Sequence, residues 1–147
     1  MTSSAFIVLL SCVSASAAAC STLNPPSEQE LFSRAQSVFR ARVTEAKLEW
    51  FRNPQNPAER VEVVEARYEI KEVFRGTPPT SGFVRDLPFA PGNCSLGILP
   101  GMEYVFFPDE HDFVLVYSGS FGFFNAEGTQ VKPQLDALRH MGTTRAK

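Results

Sequence analysis

Charge is absent from the first nineteen residues of this chain of 147 residues. Residues 5–13 form an apolar run, and residues 14–19 are small. Such a run is too short to cross a bilayer core of about 30 Å, so the pattern predicts a signal peptide over 1–19 and not a membrane anchor. A buried N-terminal helix or strand is the alternative, because the Lys or Arg that usually precedes such a run is missing. We expect the protein to be secreted or periplasmic.

Long apolar runs are also lacking after residue 19, so we expect no membrane span. The net charge is −2, and the basic residues are scattered along the chain. A nucleic-acid-binding protein usually concentrates its basic residues, so we expect no nucleic-acid partner. Residues 20–142 are long enough for one domain with one core, and residues 143–147 are expected to be a disordered tail. We expect a monomer.

Catalytic motifs are scarce. The two histidines, His111 and His140, belong to no metal-binding pattern, and no glycine-rich phosphate loop is present. The stretch 118–122 resembles a nucleophile elbow only in part, because Ser118 stands where the first glycine is needed. The sequence therefore predicts that the protein is not an enzyme, needs no cofactor and binds no metal as an isolated chain.

The chain has only three cysteines, and removal of residues 1–19 would take Cys12 with it. Two cysteines in an exported domain are most simply one disulfide, here between Cys20 and Cys94. Closing so long a loop stabilises a fold by about 4 kcal/mol in the chain-entropy model. The alternative is a pair of reduced thiols in a cytosolic protein, which requires the signal-peptide prediction to be wrong.

Alternation of apolar and polar residues indicates a mainly β domain. A capping box from Ser27 to Glu30 predicts a short helix, and a proline-initiated helix should end at Gly142. Phase changes near Val61 and Val73 predict bulges or bends. Strands are expected at 37–47, 61–74, 83–87, 102–107 and 113–117, the last two as a hairpin, with a loop at 50–60. Five strands with an N-terminal and a C-terminal helix favour a partly open OB-like β-barrel.

The most distinctive chemistry lies at the predicted new N-terminus. Cleavage after Ala19 would give Cys20 a free α-amine, which titrates near pH 8 and is partly neutral at physiological pH. That nitrogen and the Cys20 carbonyl oxygen could chelate the zinc of a protease, which keeps one coordination position open. Residues 17–20 also partly resemble a lipobox. Acylation would consume the amine and the thiol of Cys20, so a lipid-anchored protein is the alternative.

The chain resembles the tissue inhibitors of metalloproteinases and the wider netrin-like domains, from Cys20 to about Leu138. The resemblance rests on the order of four motifs, which are C-S-T at 20–22, V-F-R-A-R-V at 38–43, E-V-F-R-G at 72–76 and C-S-L-G-I-L-P-G-M-E-Y-V-F-F at 94–107. Domains of this family are OB-type barrels. The resemblance thus implies the same fold for residues 20–142.

It also implies a site. By resemblance, the amine and carbonyl of Cys20 would bind the catalytic zinc of a metalloprotease, and Ser21 would enter its specificity pocket. The other residues implied to contact the protease are Thr22, Trp50, Phe51, Gly92 and Asn93. Thr22 stands where the inhibitors usually have a second cysteine, so inhibition is implied less directly than fold. A non-inhibitory protein-binding or structural barrel is the alternative, in which Trp50 and Phe51 pack on the sheet.

Overall fold

The computed structural model describes residues 24–144. Five antiparallel strands form one sheet in the order β3-β2-β1-β4-β5, and two helices accompany it. This confirms the mainly β prediction. The predicted signal peptide, Cys20, Ser21 and Thr22 lie outside the described residues. The elements are α1 (Glu28–Arg34), β1 (Val38–Arg52), β2 (Arg60–Arg75), β3 (Ser81–Asp86), β4 (Glu103–Phe106), β5 (Phe121–Phe123) and α2 (Val131–Thr144), with a 3-10 turn at Val116–Ser118.

Helix α1 begins at the predicted capping box. The Glu30 N–H donates to Ser27 Oγ at 3.3 Å, and the Glu30 carboxylate accepts from the Ser27 N–H at 2.8 Å. These bonds satisfy first-turn amides that have no partner within the helix. Phe32 is buried, so the short helix is stabilised by apolar packing of this side chain as well as by its cap.

The alternation in β1 is confirmed, because Phe39, Ala41 and Val43 are all buried. They belong to an inner cluster on one face of the sheet. Its buried members are Phe39, Ala41, Val43, Ala66, Tyr68, Val84, Ile98, Tyr104, Phe106 and Val114. The period of two thus places one side of every long strand in a common core.

The predicted bend near Val73 is confirmed, because the β1–β2 register shifts where Val38 pairs with Arg75 and Phe39 pairs with Val73. Val73 is exposed, and the neighbouring Phe74 is buried. The bend predicted near Val61 is wrong, since Val61 pairs with Phe51 in unbroken register.

The predicted hairpin of 102–107 with 113–117 is wrong. Both edges of β4 are occupied, one by β1 and the other by β5. Asp109 accepts from the N–H groups of His111 and Phe113, and Asp112 has a φ of 66°, so this turn directs the chain away from β4. Phe113 instead makes an isolated parallel bridge to Arg85 of β3. The actual fifth strand, β5, was missed because it has only three residues and contains a glycine.

Helix α2 covers the opposite face of the sheet. Its buried residues Leu135 and Leu138 join an outer cluster, whose other buried members are Phe32, Val38, Phe74, Val105, Phe107 and Phe123. The helix does not stop at Gly142 but continues to Thr144. A Cβ at Gly142 would lie 2.5 Å from the Phe74 carbonyl oxygen, so this glycine permits close approach of helix and strand.

No helix between residues 24 and 144 is long and apolar enough to span a membrane.

Candidate functional site

The predicted contact segments lie toward the same end of the sheet. Leu48 of β1 lies opposite Val64 of β2, and Val64 lies opposite Asp86 of β3. Because β2 and β3 are antiparallel, the chain leaving β3 after Asp86 runs toward the turn that joins β1 to β2. We call this region the hairpin end, meaning residues 48–62 of the β1–β2 hairpin together with residues 87–98.

Asp86 anchors the segment that follows β3. Its side chain is fully buried, with 0% exposure. Oδ1 accepts from the backbone N–H groups of Leu87 at 2.8 Å and Leu96 at 3.1 Å. Oδ2 accepts from Ser95 Oγ at 3.0 Å and from the Gly97 N–H at 2.9 Å. One carboxylate therefore fixes both ends of the segment that carries Gly92, Asn93 and Cys94.

Burial raises the pKa of the Asp86 carboxyl above its ordinary value, while the four hydrogen-bond donors oppose that rise in part. The burial effect is the larger because the side chain has lost its contact with water. Asp86 also raises the pKa of Tyr104, after the burial of that phenol, which is the main cause. The Asp86 carboxyl is thus a buried structural group beside the 87–98 segment, and both of its oxygens accept hydrogen bonds from the protein.

Gly92 and Asn93 lie in a turn held by their own hydrogen bonds. Gly92 has a φ of 84°, a conformation that suits glycine. Asn93 Nδ2 donates to the Pro88 carbonyl at 2.6 Å, and Asn93 Oδ1 accepts from the Ser95 N–H at 3.2 Å. These bonds hold the turn just before Cys94 in one conformation.

Cys94 is disulfide-bonded. It is the only cysteine among residues 24–144, so its partner lies outside the part of the chain described. Pairing with Cys20, and zinc chelation by the Cys20 amine, therefore stay predictions. The Cys94 carbonyl accepts from the Val116 N–H at 3.3 Å, which brings the 3-10 turn beside the half-cystine.

Trp50 and Phe51 have different surroundings. Both lie in β1, because the predicted loop at 50–60 is shorter, and residues 53–59 alone connect the two strands. Trp50 is 66% exposed. The Phe51 ring packs edge-on against Phe113 at 5.1 Å, and the Arg85 guanidinium lies 5.2 Å from its centre. Trp50 is therefore available to a partner, whereas Phe51 packs on the sheet.

Several other large apolar side chains are exposed in the same region. On the hairpin, Leu48 stands two residues before Trp50 on the same side of β1, and Phe89 follows β3. Val116 and Tyr117 lie beside Cys94. With Leu99, which directly follows residue 98, six of the eight large exposed apolar residues in the described part of the chain belong to the hairpin end or border it, and such concentrations mark protein-binding surfaces.

Arg85, which the sequence analysis did not identify, links β3 to β2 and to the turn at 109–112. Its guanidinium donates to the His111 carbonyl at 2.8 Å and lies 3.7 Å from Glu65 and 3.6 Å from Asp112. Asp86 was also missed. Its place two residues after Val84 in an alternating strand was the available signal, because that period puts both side chains on the inner face.

The two serines of the stretch 118–122 hydrogen-bond to the backbone of neighbouring segments. Ser118 Oγ donates to the Leu115 carbonyl at 2.7 Å, and Ser120 Oγ accepts from the Phe107 N–H at 2.9 Å. His111 Nε2 lies 3.7 Å from Glu110, and His140 lies on α2. Over residues 24–144, no three His, Cys, Asp or Glu side chains are grouped to hold a metal ion.

No protein-family model and no curated protein matches the chain. The candidate site is therefore judged on its geometry.

Proposed function

We propose that this protein is an OB-type, netrin-like barrel that binds another protein through its hairpin end, and that the partner is a zinc metalloprotease. The barrel is supported by the chain after β4, which returns to the outer edge of β3. The Arg85 N–H donates to the Asp112 carbonyl at 2.7 Å, and the Val114 N–H donates to the Arg85 carbonyl at 2.8 Å. If the sheet is strongly curled, residues 112–114 would lie between β3 and β4 and would close the gap between these two strands.

Core composition supports the same curvature. Val84 of β3 and Phe106 of β4 belong to one buried cluster together with Val114. Two strands, β2 and β1, stand between β3 and β4 in the sheet. In a flat sheet they would be about 14 Å apart, given a strand spacing of about 4.8 Å. A shared core is therefore expected of a strongly coiled sheet.

The observation that carries the binding function is the convergence at the hairpin end. Exposed Trp50, the fixed Gly92–Asn93 turn and disulfide-bonded Cys94 belong to the same end of the sheet. A rigid turn beside an exposed aromatic side chain binds tightly because little entropy is lost on association. Asp86 supplies that rigidity through its four hydrogen bonds.

The inhibitor role adds the chemistry of Cys20. A disulfide from Cys94 to Cys20 would place the Cys20 amine and carbonyl beside the turn, where they could bind an open coordination position on zinc. The resemblance to metalloproteinase inhibitors supports this arrangement. Ser21 and Thr22 would then follow along the protease cleft.

The test compares the mature protein with a version carrying one additional N-terminal alanine, against a panel of zinc metalloproteases. The extension moves the amine away from Cys20 and leaves every described residue unchanged. We expect inhibition by the mature protein and its loss in the extended version. Equal inhibition by both would exclude chelation by the amine. N-terminal sequencing and intact mass must first show a start at Cys20, since acyl mass there would indicate a lipoprotein instead.

The surface is tested separately with Trp50→Ala, matched by Phe124→Ala. Phe124 is more exposed than Trp50, and it directly follows β5, outside the residues that define the hairpin end. A central aromatic anchor contributes about 2 kcal/mol or more, so Trp50→Ala should weaken protease binding about thirtyfold. The Phe124 variant should bind like the wild type. If both variants bind like the wild type, the hairpin end is not the interface.

A further inference from the structure

The long strand β1 has an uncovered edge. β4 pairs with β1 only from Phe39 to Arg42, and the backbone of Val43 bonds to Gly101 and Met102. From residue 44 to residue 52, β1 has backbone ladder partners only in β2 among the described residues. The N–H and C=O groups along such an edge can pair with a further strand.

The charged residues on this edge would pair with opposite charges if a second copy of β1 ran antiparallel beside it. Lys47 and Glu49 flank Leu48, and the Lys47 Nζ lies 2.6 Å from Glu49 Oε1. When two copies run antiparallel with Leu48 opposite Leu48, Lys47 of each copy faces Glu49 of the other. Registers centred on Lys47 or on Glu49 place like charges opposite each other, which is unfavourable. A lysine normally protects a strand edge from pairing, but here the glutamate two residues away supplies its counter-charge.

The side chains that would face each other in this register also fit in size. Ala46, partly buried against the inner cluster, would lie opposite the exposed Trp50 of the second copy. Leu48, which is 58% exposed, would lie opposite itself on the two-fold axis. Both pairs would bring exposed apolar surface of the two copies together and remove it from water, which favours association.

We propose that two copies of this chain pair antiparallel along residues 45–51, around a two-fold axis at Leu48, and join their sheets into one. The pairing is isologous, so it closes after two copies and does not propagate into a fibre. It replaces the monomer expected from the sequence. It uses backbone groups at the edge of β1 and does not depend on Cys20. Because it packs Trp50 against the second copy, a protease that binds Trp50 would bind the monomer.

The association state tests the dimer directly. Sedimentation velocity of the purified protein over a wide concentration range should show a monomer–dimer equilibrium. Amide hydrogen exchange should slow with rising protein concentration at alternate residues of 46–50, because only the N–H groups that point to the uncovered edge become newly paired in the dimer. A sedimentation coefficient that stays monomeric at every concentration would overturn the proposal.

Charge variants test the register. Lys47→Glu places two carboxylates opposite each other at both Lys47–Glu49 pairs of the dimer, so dimerisation should weaken about tenfold. The double swap Lys47→Glu with Glu49→Lys restores opposite charges and should restore the wild-type dimer. The matched control is Lys71→Glu on β2, because Lys71 and Glu69 have the same spacing but the β2 edge is covered by β3 as far as Ile70. A dimer indifferent to Lys47→Glu, or one that the swap fails to restore, would place the interface elsewhere.

Discussion

The outer face of this sheet and its hairpin end are stabilised in different ways. The outer face is covered by α1 and α2, whose apolar residues meet Val38, Phe74 and Val105 in a closed cluster. The hairpin end has no such cover, and its Leu48 and Trp50 are exposed. Hydrogen bonds to one buried carboxylate, Asp86, hold the neighbouring segment in place of a core. Apolar burial therefore stabilises one region, and polar bonding keeps the other rigid while leaving apolar side chains available for binding.

Truncating a leucine in each region gives the largest expected contrast. Leu138→Ala in α2 removes a fully buried side chain, and should lower the free energy of unfolding by about 3–5 kcal/mol through lost transfer energy and a residual cavity. At a concentration at which the protein is monomeric, Leu48→Ala should change it by about 0.5 kcal/mol or less. Urea denaturation of both variants checks this. Equal losses would contradict the distinction between the covered face and the hairpin end.

Removing the carboxylate should have the next largest effect. Asp86→Ala leaves the N–H groups of Leu87 and Leu96 without an acceptor and leaves the Gly97 N–H with Ser95 Oγ alone, so it should cost about 3 kcal/mol of unfolding free energy. Amide exchange should accelerate over residues 87–98 more than in α2. Asp86→Asn retains one acceptor oxygen and should cost less. Unchanged exchange in the segment would show that Asp86 does not hold it.

The same carboxylate predicts a pH dependence of stability. Burial raises the pKa of Asp86, so the native state holds this proton more tightly than the unfolded state does. The contribution of Asp86 to the unfolding free energy therefore falls as the pH rises from the usual aspartate pKa through the raised native value. The wild type should exceed Asp86→Asn by most in acid, and the difference should shrink toward neutral pH. A difference that grows with pH would reverse the assigned direction.

The smallest effect is expected where α2 meets β2 through charge. Arg139 donates to both carboxylate oxygens of Glu72, at 2.7 and 2.9 Å, on a partly exposed surface. Solvent and salt screen such a pair, so Arg139→Ala should cost about 0.5–1 kcal/mol, and less at high salt. Thermal unfolding at two salt concentrations measures this. A loss comparable to that of Leu138→Ala would mean that charge, and not the outer cluster, holds the helix.

Sequence patterns predicted the parts of the fold that depend on near neighbours. The capping box at Ser27, the inward side of β1 and the buried pair Leu135 and Leu138 all follow from spacings of two to four residues. The candidate site was predicted in part. Trp50 is exposed as an anchor would be, but Phe51 packs against Phe113, a contact between residues far apart in the sequence.

By itself, then, the sequence determined the alternation in β1, the N-terminal cap of α1 and the number of α-helices, because these features depend on side chains only a few residues apart. Only the tertiary structure decided that both edges of β4 are taken, that Gly142 continues a helix against Phe74, and that Asp86 lies beneath the Cys94 segment. Each of these depends on which distant backbone groups pair. Local periodicity carries no information about that choice, since any strand edge offers the same donors and acceptors.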